Sequence, residues 1–395
     1  MLPSRAGPGH LVPRFATARC LLNAARPRIN ATRHPTSEPA SVKRPDRTRQ
    51  HIIARLVRRR WTKRLRRVGR VRLIIEVPVV PPDVLSFRRN FEATVRFLDE
   101  FRDRIMARKR FREIVHVDLV PVKEISVPVA IVLAAEFHRW VLIHHLRLNV
   151  RSSERWSPQV KNLLSDLGVF DLLGVRPPIS NGADDNLTLT KLQSGHKFDG
   201  KKIDALQTAF REIVEGFMNN PELYDGLSEA VENAITHAYP ADYEPRHQWA
   251  GHRWWGAGCL DPQTMNLRFF IFDQGAGIPY TLPANDWYEA LRERLAVLTQ
   301  GALANDALML RAALELGRSS TGEAHRGRGL KKMSDVIDDT QGAFLRIISG
   351  SGEIICHPGG RVETFNRPTN IGGTLIEWNM PATALIDDQQ EGSEP

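Results

Sequence analysis

Cysteine is scarce in this chain, with three in 395 residues. Cys20, Cys259 and Cys356 stand far apart and make neither a disulfide framework nor a metal-ligand spacing, which points to a reducing compartment. Long apolar runs are missing too, and none approaches the roughly 20 residues that span a bilayer. The first 30 residues hold no uninterrupted apolar segment before a cleavage site, so no secretory signal is expected. Their Arg-rich, acid-poor composition also resembles an organelle transit peptide, but the leading expectation is a soluble, cytoplasmic protein. Acidic residues are almost absent from residues 1–72, where Glu38 and Asp46 face 20 Lys/Arg, a net of +18. The formal charge of +10 therefore leaves −8 on the remaining 323 residues. The high pI belongs to one arm, and it does not make the whole chain a nucleic-acid binder.

What is present divides the chain into segments. Residues 1–70 read as a disordered basic arm, rich in Pro, Arg, Ser and Thr without apolar periodicity. Within residues 52–72 a basic helix could carry Ile53, Leu56, Trp61 and Leu65 on one side, a pattern that fits nucleic acid or an anionic membrane. The same run also reads as a solvated arm. Residues 71–176 alternate strand and helix, the pattern of a small α/β domain. Its strands are expected at Val71–Val80, Ile114–Val122 and Arg147–Val150, and its helices at Phe87–Lys109, Val127–Trp140 and Ser157–Leu173. Residues 177–197, opening on Pro177-Pro178, read as a linker. A second α/β domain follows over 198–385, and 386–395 form an acidic tail.

The chemistry concentrates in the second domain. Asp273-Gln-Gly275-Ala-Gly277 closes the apolar run Leu267–Phe272. It offers a carboxylate that can accept from an exocyclic amine, and two glycines that let backbone approach something flat. A hairpin turn would use the same residues. Upstream, a predicted helix places Glu229, Asn233 and His237 on one stripe at i, i+4 and i+8, opposite Leu227, Val231, Ala234 and Ala238. A carboxylate and a carboxamide one turn apart supply an acceptor for a water proton and an oxygen for a hard cation such as Mg²⁺. Downstream, Arg326-Gly327-Arg328-Gly329-Leu330 opens a helix whose free N–H groups suit phosphate, with Arg326, Arg328 and Lys331 adding charge. No Gly-Lys-Ser/Thr follows, so this is not a Walker loop. Last, Gly372-Gly373-Thr374 precedes a strand, and its hydroxyl could hold a water or a purine edge.

The four motifs in this order resemble the ATP-binding domain of the GHKL superfamily, which includes DNA gyrase, heat-shock chaperones and sensor histidine kinases. The likeness covers the second domain and looks closest to anti-sigma-factor serine kinases. It implies a two-layer α/β sandwich that binds Mg²⁺ and ATP, acting as an ATPase or a protein kinase on a regulatory partner protein. A homodimer is compatible with it. On that resemblance Asn233 would hold Mg²⁺ and Glu229 would orient or deprotonate the attacking water. Asp273 would read the adenine amine, with Gly275, Gly277 and Thr374 around the purine. Arg326, Gly327, Arg328, Gly329 and Leu330 would close on the phosphates under a lid spanning 283–328. His325 stands where many members carry a further glycine. Residues 71–176 resemble, more weakly, a STAS domain, the module such kinases phosphorylate, but Ser126 falls one position before that family's phosphorylated serine.

Overall fold

Strands β7 (Trp254–Asp261) and β8 (Asn266–Asp273) are apolar almost throughout, without the alternation of a strand that has one wet face. The fold gives the reason. Both strands lie in the middle of an antiparallel sheet of eight, in the order β11-β10-β9-β12-β8-β7-β5 with β6 also on β7. The flanking strands are β5 (Thr188–Leu189), β6 (Gln193–Gly195), β9 (Phe344–Ser349), β10 (Gly352–Cys356), β11 (Val362–Asn366) and β12 (Thr374–Pro381). Trp254, Phe269, Ile271, Ile347 and Trp378 point to one core, while Trp255, Ala257, Phe270, Phe272 and Ile348 point to another. The architecture is mixed α/β, with helices of residues 198–385 on one face of the sheet and the N-terminal segment on the other.

The chain was built as a computed structural model, which describes residues 75–106, 113–144, 150, 152–178, 187–211, 217–218, 220–284, 287–299, 305–319 and 328–385. The basic arm, including 52–72, and the acidic tail lie outside them, as does most of the expected strand Arg147–Val150.

One face of the sheet is covered by helices. Helix α5 spans Gly200–Arg211, α6 spans Pro221–Thr236 and α10 spans Arg328–Asp338. The start of α6 is set by Asn220, whose side-chain oxygen accepts from the Leu223 N–H at 2.6 Å, and by Pro221 at the first helical position. Leu223, Leu227, Ala230, Val231 and Ala234 form its buried stripe, close to the expected one. Trp378 Nε1 donates to the Met333 carbonyl at 2.9 Å, joining α10 to the sheet.

The other face is covered by the N-terminal segment. Strand β1 (Ile75–Val79) pairs in parallel with β3 (Glu113–Val117) around α1 (Phe91–Met106). A second short parallel pair joins β2 (Val84–Leu85) to β4 (Glu124–Ile125). Helix α2 (Val127–His144) then crosses β7 and β8. Among the described residues α2 is the one helix long and apolar enough for a membrane span, yet 13 of its 18 residues are buried inside the fold. It is a core helix here. Trp255 Nε1 donates to His138 Nδ1 at 3.1 Å, and burial, helped by Arg253, pushes that imidazole down to about 4.

Other differences from the sequence reading are local. The expected helix Ser157–Leu173 is two, α3 (Pro158–Asp166) and α4 (Val169–Leu173), because Gly168 turns left-handed at φ 76°. The last part of the expected linker is sheet edge, since β5 and β6 both pair with β7. The short helix α7 (Ile278–Thr281) follows β8, and α8 (Tyr288–Thr299) and α9 (Asp306–Ser319) come after it. However, the described part of the expected lid is packed down. Leu310, Ala312 and Leu314 of α9 are buried, and Asp306 accepts from the Ser351 N–H at 2.8 Å and its hydroxyl at 2.7 Å. Residues 72–395 cluster as one compact unit.

Candidate functional site

Strand pairing brings the first half of the site together. Asp273, the last residue of β8, lies opposite Thr374, the first of β12, and Thr374 lies opposite Ser349 at the end of β9. Ser349 and Thr374 share a hydroxyl–hydroxyl bond of 2.8 Å, and Ser349 Oγ accepts from the Ile278 N–H at 2.7 Å. Gly277, at φ 91°, starts that turn; a Cβ there would sit 3.1 Å from Gly350 N. Ser349 thus braces both sides of Asp273. Nothing in the sequence marked it, because only strand register puts it beside Thr374.

Burial pushes the Asp273 carboxyl up to about 7, although hydrogen bonds from the Gly275 N–H at 2.8 Å and from Thr374 pull the other way. A raised carboxyl stabilises the fold below its unfolded pKa, and that contribution is lost as pH rises through the folded value. Between pH 4 and 7 the folded chain holds a proton that the unfolded chain has lost. Asp273→Asn is therefore expected to flatten the fall in stability from pH 5 to pH 8, measured by urea unfolding at both pH values. An identical pH slope in the two proteins would contradict the assignment.

The second half of the site comes from helices. Glu229 and Asn233 rise from α6, and the first turn of α10 lies directly on them. A Cβ on Gly329 would fall 2.5 Å from Glu229 Oε1 and 3.2 Å from Asn233 Nδ2, so a side chain there would have to displace the Glu229 carboxylate. Lys332 Nζ reaches Glu229 Oε2 at 3.1 Å. Lys331, which the sequence suggested, pairs instead with Asp335 at 2.7 Å, one turn along its own helix.

Both halves open into one cavity of about 600 Å³. Of the expected site residues, Glu229, Asn233, Asp273, Gly277, Gly329, Leu330 and Thr374 line it, and so does His237. Lys332, Met333, Ile278, Leu282, Trp287, Ala313 and Ile376 line it as well and were not foreseen. Gly275 does not. Its place is structural: a Cβ would lie 2.1 Å from the Ala238 carbonyl, and Ala276 N–H donates to that carbonyl at 2.7 Å. Arg326 and Gly327 lie outside the described residues, and Arg328 opens α10. Among the described residues, no three His, Cys, Asp or Glu side chains gather as a metal site. A hard cation at Asn233 would therefore need oxygens from its own ligand or from water.

Behind the Asp273 end lies a buried ionic network from the N-terminal layer. Glu136 on α2 accepts from Arg102 Nε at 2.8 Å and lies 2.5 Å from Arg139. Burial alone would raise the Glu136 carboxyl, but the two guanidinium groups hold it below the usual range. Arg102 packs against Gly372, two residues before Thr374; a Cβ there would fall 2.7 Å from Nη1. Arg102 also reaches Asp99 at 3.0 Å, and Arg246, in the loop after α6, pairs with Asp103 at 3.0 Å. Tyr239, at the start of that loop, accepts from the Gln274 N–H at 3.1 Å. The cavity's floor is thus fastened to α1 and α2.

No model of a known protein family matches the chain, and no curated protein matches it.

Proposed function

We propose that the cavity binds Mg²⁺ and ATP, and that the chain is a cytoplasmic GHKL-type regulatory protein that hydrolyses ATP or passes its terminal phosphoryl group to a partner protein. One observation carries the reading. A buried carboxyl beside a hydroxyl, a carboxylate–carboxamide pair from one helix and two close-packed glycines, Gly277 and Gly329, all line one cavity. Asp273 and Thr374 would hold the adenine edge. Asn233 would contribute an oxygen to the magnesium ion, which when bound offsets phosphate charge. Glu229 would orient the attacking water, or the partner's hydroxyl, and take its proton. The parallel pairs β1–β3 and β2–β4 support keeping the STAS-like reading for the N-terminal layer.

Calorimetric titration of the full chain with ATP and GTP at pH 8, with and without magnesium, tests the site. At that pH Asp273 is mostly ionised and can accept from the adenine amine. A hydrogen bond to a charged group, worth ~1.5–3 kcal/mol, predicts a preference for ATP of about 10- to 100-fold. Asp273→Asn should remove that preference, and magnesium should strengthen ATP binding in the wild type but not in Asn233→Ala. Absence of ATP binding, or equal affinity for GTP, would exclude the reading.

A further inference from the structure

The pair between Glu229 and Lys332 has a consequence for this site, and the argument rests on the nucleotide reading above. Both oxygens of Glu229 face α10. Oε1 lies under Gly329, and Oε2 receives Lys332 at 3.1 Å. A carboxylate held this way already has a cation beside it. The Glu229 side chain is 18% exposed and that of Lys332 is 52% exposed, so one partner is anchored and the other is free to swing. Lysine is a point charge on a flexible stem, and an ion pair this open is weak enough to exchange. Both side chains line the same cavity as Asp273.

We propose that Lys332 is a specificity residue for the terminal phosphate of a nucleoside triphosphate, exchanging Glu229 for that phosphate when the triphosphate binds. A terminal phosphate competes for the ammonium with more negative charge than one carboxylate carries. A diphosphate with its purine at Asp273 lacks that group, so the pair stays closed. Glu229 is thereby released only when a triphosphate is present. Lys331 takes no part, because Asp335 holds it on the outer side of its helix.

Titration of the full chain with Mg·ATP and Mg·ADP separates the outcomes, using Lys332→Met, Lys332→Arg, Lys331→Met and Glu229→Gln, each checked for folding by thermal melting. Losing one charge-assisted contact predicts that Lys332→Met lowers ATP affinity about tenfold and leaves ADP affinity unchanged. Lys332→Arg should restore the preference, and Lys331→Met should match the wild type. Glu229→Gln removes the competitor for Lys332 and should tighten ATP severalfold without affecting ADP. If Lys332→Met weakens ATP and ADP equally, or neither, the assignment is overturned. A wild-type chain that binds neither nucleotide would refute the site itself, a result readily told apart from the first.

Discussion

Replacing Glu229 by glutamine is expected to slow phosphate release, or phosphoryl transfer to a partner, by about 10²–10⁴-fold, the usual contribution of a positioned general base. Binding of Mg·ATP should survive, because the contacts proposed for adenine are made by Asp273 and Thr374 and not by Glu229. The substitution is nearly isosteric, so the first turn of α10 can still rest on residue 229. What it removes is the capacity to accept a proton and the charge facing Lys332. Labelled-phosphate release measured beside affinity reads the two effects separately. Unchanged turnover in Glu229→Gln would end the proposal that this carboxylate is the base. Tight binding with no release even in the wild type would make the chain a nucleotide-operated switch and not an ATPase.

The second large effect is on stability. Glu136→Ala is expected to cost ~3–5 kcal/mol, because it leaves Arg139, and in part Arg102, buried without its counter-charge. Arg102 keeps Asp99 at 3.0 Å, while the Arg139 guanidinium loses the carboxylate 2.5 Å away. Urea unfolding should show a lower midpoint with an unchanged slope. A loss below about 1 kcal/mol would mean that the network does not anchor the N-terminal layer. Because Arg102 packs on Gly372, the same substitution should loosen the turn that presents Thr374. Nucleotide affinity under native conditions should therefore fall as well. The back layer would then be part of the site's rigidity, and a partner acting on α1 or α2 would have a physical route to the cavity.

Much of this was legible in the residues. Glu229 and Asn233 sit one helical turn apart, and that spacing alone brings both side chains to the cavity. Asp273 and Gly277 follow from strand-end and turn chemistry, which is also local. The unbroken apolar runs of β7 and β8 held a further signal, since a strand buried on both faces does not alternate. That pattern could have predicted the layer formed by α2. Lys331 and Lys332 were indistinguishable by composition, because which of two adjacent lysines meets Glu229 depends on the rotation of α10 against α6. Gly275 was expected at the cavity, yet the constraint on it is the Ala238 carbonyl behind it.

The sequence by itself determined most of the elements around the site and their chemistry: the helix that carries Glu229 and Asn233, the strand that ends on Asp273, and the glycines beside them. Those properties arise from contacts within a few residues along the chain. Only the tertiary structure decided that Asp273, Thr374 and Ser349 align across three strands, and that Lys332 closes on Glu229 over a separation of 103 residues. It also decided that the sheet is covered on both faces. Register and helix rotation are settled by packing between distant segments, and no local pattern carries that information.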